Sequence, residues 1–349
     1  MSKARQLLVV FLCMAMLAYG HAKALFAEET ILASHSKHHH GLHSIGHAPI
    51  SVMRDHVHKK GEWMLSYRYA FMRMSGSRDG HHRIDNQQVL NQYMVVPTEM
   101  QAQMHILGFM YAPSDRMALT AMFPFVEKDM NHRNRAGRTF KTHAEGPGDL
   151  KISALIPVWE QGGHRIHIMG GVSIPTGEIN KEDDLPTGNG QRLPYPMQLG
   201  SGTWDLLPGI TYAGQSDHWS WGAQSNFVLR PGRNEVGYAL GNEYEMTFWG
   251  ARHWNDWLSQ SLGMRYRIWE NISGRDPGLN SGMVPTADPN QRGGKRIDLL
   301  FGINFYIPKG WFKGHRASID FGIPIMQSLD GPQLETDWFF TAGWQAAFD

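Results

Sequence analysis

The chain has 349 residues, a formal net charge of +1, 19% charged residues, 38 glycines and 11% aromatics. So even a balance gives no basic footprint for nucleic acid and no polybasic membrane anchor, so a nucleic-acid partner is not expected. A negative mean hydropathy leaves no room for a bundle of membrane-spanning helices.

Residues 1–24 read as an export signal. Lys3 and Arg5 give a positive start, Leu7 to Leu17 an apolar run, and Ala22-Lys23-Ala24 a small-x-small cleavage pattern, with cleavage expected before Leu25. The run is shorter than the ~20 residues of a spanning helix. The only cysteine, Cys13, falls inside it, so the mature chain is expected to hold no disulfide and no thiolate metal site.

Residues 25–61 do not alternate and form a separate histidine-rich piece, periplasmic or plug-like, ahead of the main domain. His38, His39, His40, His43, His47, His56 and His58 are the candidate metal ligands. Imidazole suits copper and zinc, and the 20 methionines of the chain add the thioether class that monovalent copper prefers. No fixed ligand spacing is present, and the alternative is a solvated histidine tail with methionines as flexible apolar filler.

From residue 62 to 348, segments of roughly ten residues alternate apolar with polar or small, the pattern of a transmembrane strand between lipid and a wet lumen. In Arg296 to Ile307, Ile297, Leu299, Phe301, Ile303 and Phe305 share one face, and Arg296, Asp298, Gly302 and Asn304 the other. About twelve such segments are expected: near 62–74, 100–112, 116–126, 147–158, 163–174, 202–213, 218–230, 237–250, 255–270, 296–307, 315–326 and 336–348. Short links such as Pro113-Ser114-Asp115, Gln161-Gly162-Gly163, Gly214 to Asp217 and Arg252-His253 alternate with longer polar ones at 75–98, 128–146, 175–201, 271–295 and 327–335. Tight periplasmic turns and long outer loops give that rhythm. The expected fold is all-β: a transmembrane antiparallel up-and-down β-barrel of about twelve strands in a bacterial outer membrane, both termini periplasmic. A soluble antiparallel barrel or sandwich is the competing reading, in which the apolar face would point inward.

Three stretches resemble the phenol-degradation meta-pathway family of outer-membrane proteins: Gly146-Pro147-Gly148-Asp149-Leu150, Ser173-Ile174-Pro175-Thr176-Gly177 and Leu199-Gly200-Ser201-Gly202-Thr203-Trp204-Asp205. Residues 48–73, with Met53, Asp55, His56, His58 and Trp63-Met64, resemble a subgroup. The closing Thr341, Gly343, Ala346 and Phe348 resemble the signal read by the barrel-assembly machinery, with Asp349 following the aromatic as a departure. The resemblance implies a channel or transporter for small, often aromatic, compounds and no catalytic residues.

If the barrel closes, its inward charges are pore-lining candidates: Arg68, Lys151, His167, Glu243, Glu245, Arg265, Arg267, Asp298 and Asp320. They carry both signs, so no strong ion preference follows, and they can equally pair and brace a filled interior. The expected partners are outer-membrane lipid, the assembly machinery and a small solute, with copper or zinc at the histidine-rich segment. Two other functions stay open. One is an outer-membrane enzyme of phospholipase type, for which His218-Trp219-Ser220 is the only His-x-Ser pair beside a membrane interface. The other is a non-conducting metal-binding surface protein.

Overall fold

The computed structural model describes residues 48–186 and 188–348. Among the described residues, eleven antiparallel strands of a fourteen-stranded sheet form its closed ring: β1 (Trp63–Gly80), β2 (Val95–Ser114), β3 (Met117–Asn134), β4 (Leu150–Gln161), β5 (His164–Ile174), β6 (Gly209–Gln215), β7 (Trp219–Val228), β8 (Glu243–Asn255), β9 (Leu258–Trp269), β10 (Gly294–Tyr306) and β11 (His315–Phe348). Each pairs with the next in sequence. The far half of β11 pairs with β1, from Trp63↔Phe348 onward, and closes the ring. Closure satisfies every edge, which is what a backbone surrounded by hydrocarbon requires.

The side chains sort as the alternation demands. Leu65, Leu107, Phe123, Leu262, Phe301 and Ile319 are exposed on the outside, while Ser66, Arg68, Thr120, Ser261, Asp298 and Asp320 are buried inside. This excludes the sandwich reading, in which the two sets would trade places. Trp219, Trp254, Trp257 and Trp311 are exposed near the short-turn rim. Midway along β1, about where a bilayer-length strand ends, Phe71 packs on Trp338 and Phe340 with ring centroids 5.2 and 5.8 Å apart. Amphipathic rings at both levels suit the two headgroup layers.

Several expected boundaries are corrected. The segment 75–98 is not one loop: β1 continues to Gly80, helix α1 (Asn86–Gln92) follows with an Asp85 capping box, and β2 begins at Val95. The segment 128–146 is mostly strand, because β3 runs to Asn134 and pairs with Thr139–Pro147. These strands are far longer than the 9–11 residues that cross a bilayer, so they project beyond it and carry polar residues on both faces, which hid them in the sequence. The segment 202–213 keeps only Asp205–Leu206 and β6, with Pro208, which has no ladder donor, between them. Within 237–250, Tyr238–Ala239 belongs to a separate ribbon with Ser273–Gly274. Arg252-His253 lies inside β8, and the turn falls after Asn255. Finally, 327–335 is no long loop. Thr336 N donates to Gln327 Oε1 at 2.9 Å, Phe321 stacks on Trp338, and the chain reverses around Gly331, whose φ of +80° suits glycine.

The connections between β5 and β6, β7 and β8, and β9 and β10 pack on one another at the long-loop end. Tyr195, Tyr238 and Ile272 form one buried cluster; Leu193, Met197 and Leu199 join Met100, Val126 and Met130 in another. They make a roof.

Candidate functional site

The interior of the ring holds a stretch of its own chain. Residues 48–58 touch inward-facing side chains of β1, β4, β5, β7, β8 and β11, which are spread around the circle, so the stretch lies across the bore. Arg68 Nε donates to Ile50 O at 3.3 Å, and Ser51 N donates to Asp320 Oδ2 at 2.9 Å. Gln224 Nε2 donates to Met53 O at 3.0 Å, and His167 Nε2 donates to Arg54 O at 2.9 Å. Arg54 Nη1 reaches Ser153 Oγ at 3.2 Å, and Ala48 and Val52 pack on Trp249. Asp55 Oδ2 accepts from Ala48 N at 2.9 Å and folds the stretch on itself. Arg54 is held at φ +62°, a left-handed conformation that costs a non-glycine residue on the order of 1 kcal/mol and persists where surroundings fix it.

A charged ladder crosses β8, β9 and β10. Asp298 takes Arg296 Nε at 2.7 Å and Arg265 Nε at 3.2 Å; Arg265 also lies 3.9 Å from Glu245. Arg267 pairs with Glu243, which Arg230 Nη2 approaches at 3.3 Å. Arg265 and Arg296 lie over the Phe339 ring, 4.7 and 5.4 Å from its centroid. Opposite signs on adjacent strands neutralise each other, and the aromatic face adds a cation–π contact.

Between this wall and the roof lies a chamber of about 510 Å³. Nine charged residues line it. The cations are Lys128, Lys151, Arg230, Arg267 and Arg292, and the anions Asp149, Asp205, Glu243 and Glu270. Most are spoken for. Lys128 Nζ donates to Pro196 O at 2.8 Å and holds down the roof, and Arg230 Nε reaches Asp205 Oδ2 at 3.2 Å. Lys151 is exposed to the chamber and, among the described residues, shares no ion pair.

The nine expected pore-lining residues therefore divide three ways. Arg68, His167 and Asp320 hold the inserted stretch, Glu245, Arg265 and Asp298 brace the wall, and Lys151, Glu243 and Arg267 face the chamber. Asp205, Arg230 and Arg296 escaped the candidate set. Arg296 was legible from the alternation around Asp298, whereas Asp205 and Arg230 sit at strand ends where alternation fails.

The three family-like motifs meet at one point of the chamber wall. Asp149 Oδ1 accepts from Gly177 N at 2.9 Å, and its Oδ2 accepts from Ser201 N at 2.7 Å. Thr176 Oγ1 accepts from Leu150 N and donates to Gly148 O, each at 2.9 Å. A Cβ on Gly200 would lie 2.4 Å from Gly177 O, so glycine is needed for this approach. One carboxylate thus ties the β3–β4, β5 and roof segments together.

Of the candidate metal ligands, His38, His39, His40, His43 and His47 lie outside the described residues. His56 and His58 are brought together: their Nε2 atoms are 3.2 Å apart, with His56 Nδ1 2.8 Å from Asp55 Oδ1 and His58 Nδ1 3.1 Å from Glu62 Oε2. Burial, and then the neighbouring His56, push the His58 pKa down to about 4. A second group unforeseen in the sequence, Glu127, Asp129 and His143, gathers near the roof, but Lys141 Nζ already sits 2.9 Å from Asp129. His218 does not pair with Ser220. Ser220 Oγ instead lies 3.1 Å from His253 Nε2, both buried on the inner side of the wall and turned away from lipid, where an acyl chain would arrive.

A closed antiparallel ring, apolar without and polar within, defines an outer-membrane β-barrel protein. The model of the family described as "Putative MetA-pathway of phenol degradation" matches residues 86–272, more than half of the chain, and this chain belongs to that family. Among solved structures it is similar to an outer membrane channel from Pseudomonas putida F1, with a TM-score of 0.60 at 12% identity, covering 85% of this chain and 99% of that one. It is more distantly similar to the TodX monoaromatic hydrocarbon channel, with a TM-score of 0.45 at 9% identity, covering 84% and 91%. No curated protein matches it in sequence.

Proposed function

We propose that the protein is a narrow outer-membrane channel for small polar or charged solutes, organic ones included, with residues 48–58 as a plug in its bore. The observation that carries this is the chamber of about 510 Å³ with its nine charged groups, enclosed by a ring whose outer face is apolar. A chamber of that size suits one small molecule. Its lining favours carboxylates, phosphates or amines over a bare hydrocarbon, since fixed charges demand hydration or a counter-charge. We read β11 as two passes, because 34 residues at ~3.3 Å each would far exceed a bilayer. Twelve passes then place Trp63 and Phe348 together on the short-turn side, taken as the periplasm.

The test is planar-bilayer conductance of the refolded full chain beside Arg68→Ala/Asp320→Ala, which removes two side chains that hold the plug. Small unitary currents are expected from the native chain, and several-fold larger or more frequent openings from the variant. Silence from both, across voltage and salt, would overturn the channel reading; equal currents would overturn the plug.

A further inference from the structure

We infer that His56 and His58 form a binding site for a monovalent copper ion at the foot of the plug, whether or not the bore conducts. A carboxylate can only accept, so the contacts from Asp55 and Glu62 put a hydrogen on Nδ1 of both rings. In the neutral rings this turns two Nε2 lone pairs toward each other, 3.2 Å apart, with the rings edge-on at 72°. Two acceptors repel unless a positive centre lies at their meeting point, either a proton that makes one ring an imidazolium or a metal ion bound by both. A four-coordinate metal with bonds of about 2.0 Å sets its nitrogen ligands roughly 3.3 Å apart, close to what is found here. The carboxylate behind each Nδ1 is the arrangement that orients a metal-binding imidazole and raises its basicity.

The surroundings select the ion. Beside His56, on a side His58 does not line, a small cavity of about 20 Å³ brings the thioethers of Met64, Met110 and Met122 into the same neighbourhood. Thioether and imidazole together are the donor set of monovalent copper. Arg54 and Arg68 line the same cavity, and their positive charge weighs more heavily against a divalent ion than a monovalent one. The site sits directly before β1, so a bound ion would fasten the end of the plug to the start of the ring.

The test is a competition titration of the full chain, in detergent, with copper(I) kept reduced against a chromogenic copper(I) chelator, and with zinc(II) in parallel. One tight copper equivalent is expected in the native chain. It should persist when His38, His39, His40, His43 and His47 are all replaced by Asn, and disappear in His56→Asn/His58→Asn. Asp55→Asn should weaken it by about 10- to 100-fold. A tight equivalent that survives the double substitution, or is absent from the native chain, would overturn the site. Tighter zinc than copper would overturn the choice of ion. X-ray absorption of the loaded native chain gives a reading independent of variant folding: two nitrogen ligands near 2.0 Å support the site, and a sulfur-only shell refutes it.

Discussion

Asp149 shows how a single carboxylate can organise what the sequence presents as three separate motifs. Its two oxygens accept from Gly177 N and Ser201 N, which belong to different connections and would otherwise be left without these acceptors at the chamber wall. Asp149→Ala should cost about 1–3 kcal/mol per abandoned backbone donor, read as a lower urea midpoint and faster proteolysis between residues 175 and 208. Gly200→Ala should do comparable damage for another reason, because the added methyl collides with the Gly177 carbonyl. Gly170→Ala is the control, since nothing lies within 4 Å of a Cβ there, and it should leave the midpoint unchanged. The sequence displayed these motifs as three separate stretches. It could not show that the carboxylate caps backbone rather than meeting solute, because its partners lie 28 and 52 residues away. His56 and His58 were legible as imidazoles, whereas the places of Asp55 and Glu62 behind them follow only from the fold.

At the scale of elements, the alternation around Arg296 and Asp298 predicted both the strand and its inward face, and β10 keeps them. What alternation cannot say is which inward charges meet, since that depends on the register between neighbours. Arg265 stands opposite Asp298, and Arg267 opposite Arg296, a like-charged pair tolerated because Glu243 and Asp298 lie on either side. Asp298 is wholly buried and serves two guanidinium groups. Asp298→Ala should therefore destabilise the barrel by about 3–5 kcal/mol, the range for stripping one partner from a buried ionic cluster. Glu245→Ala, whose carboxylate is partly exposed and 3.9 Å from Arg265, should cost less than about 1 kcal/mol. Equal losses on denaturant unfolding in lipid would mean that the ladder does not share its charge as described. The projecting hairpins of β1 to β3 and the chain reversal at Gly331 were misread for one common reason. Outside the membrane a strand needs no apolar face, so its periodic signature vanishes while its hydrogen bonds remain.

For the molecule as a whole, membership of the ring was legible because lipid imposes one rule on every pass, whereas the plug and chamber follow from long-range contacts that obey no local period. The same division shapes function. Five cations and four anions line the chamber, and Lys151, exposed there and without an ion pair among the described residues, is the cation best placed to bias a passing solute. A lining with five cations to four anions, in a confined polar space, raises the local anion concentration and does so less as salt increases. On the proposed channel reading, the native chain should thus show a modest anion preference, visible as a reversal potential under a salt gradient. Lys151→Gln removes that one charge at a position where the side chain makes no ion pair among the described residues. It should move the reversal potential toward cations and leave the unfolding midpoint within about 0.5 kcal/mol of native, as for substitutions away from packed contacts. If the potential stays put while the channel still conducts, solutes pass by a route that avoids this chamber, and the site assigned between wall and roof is the wrong one.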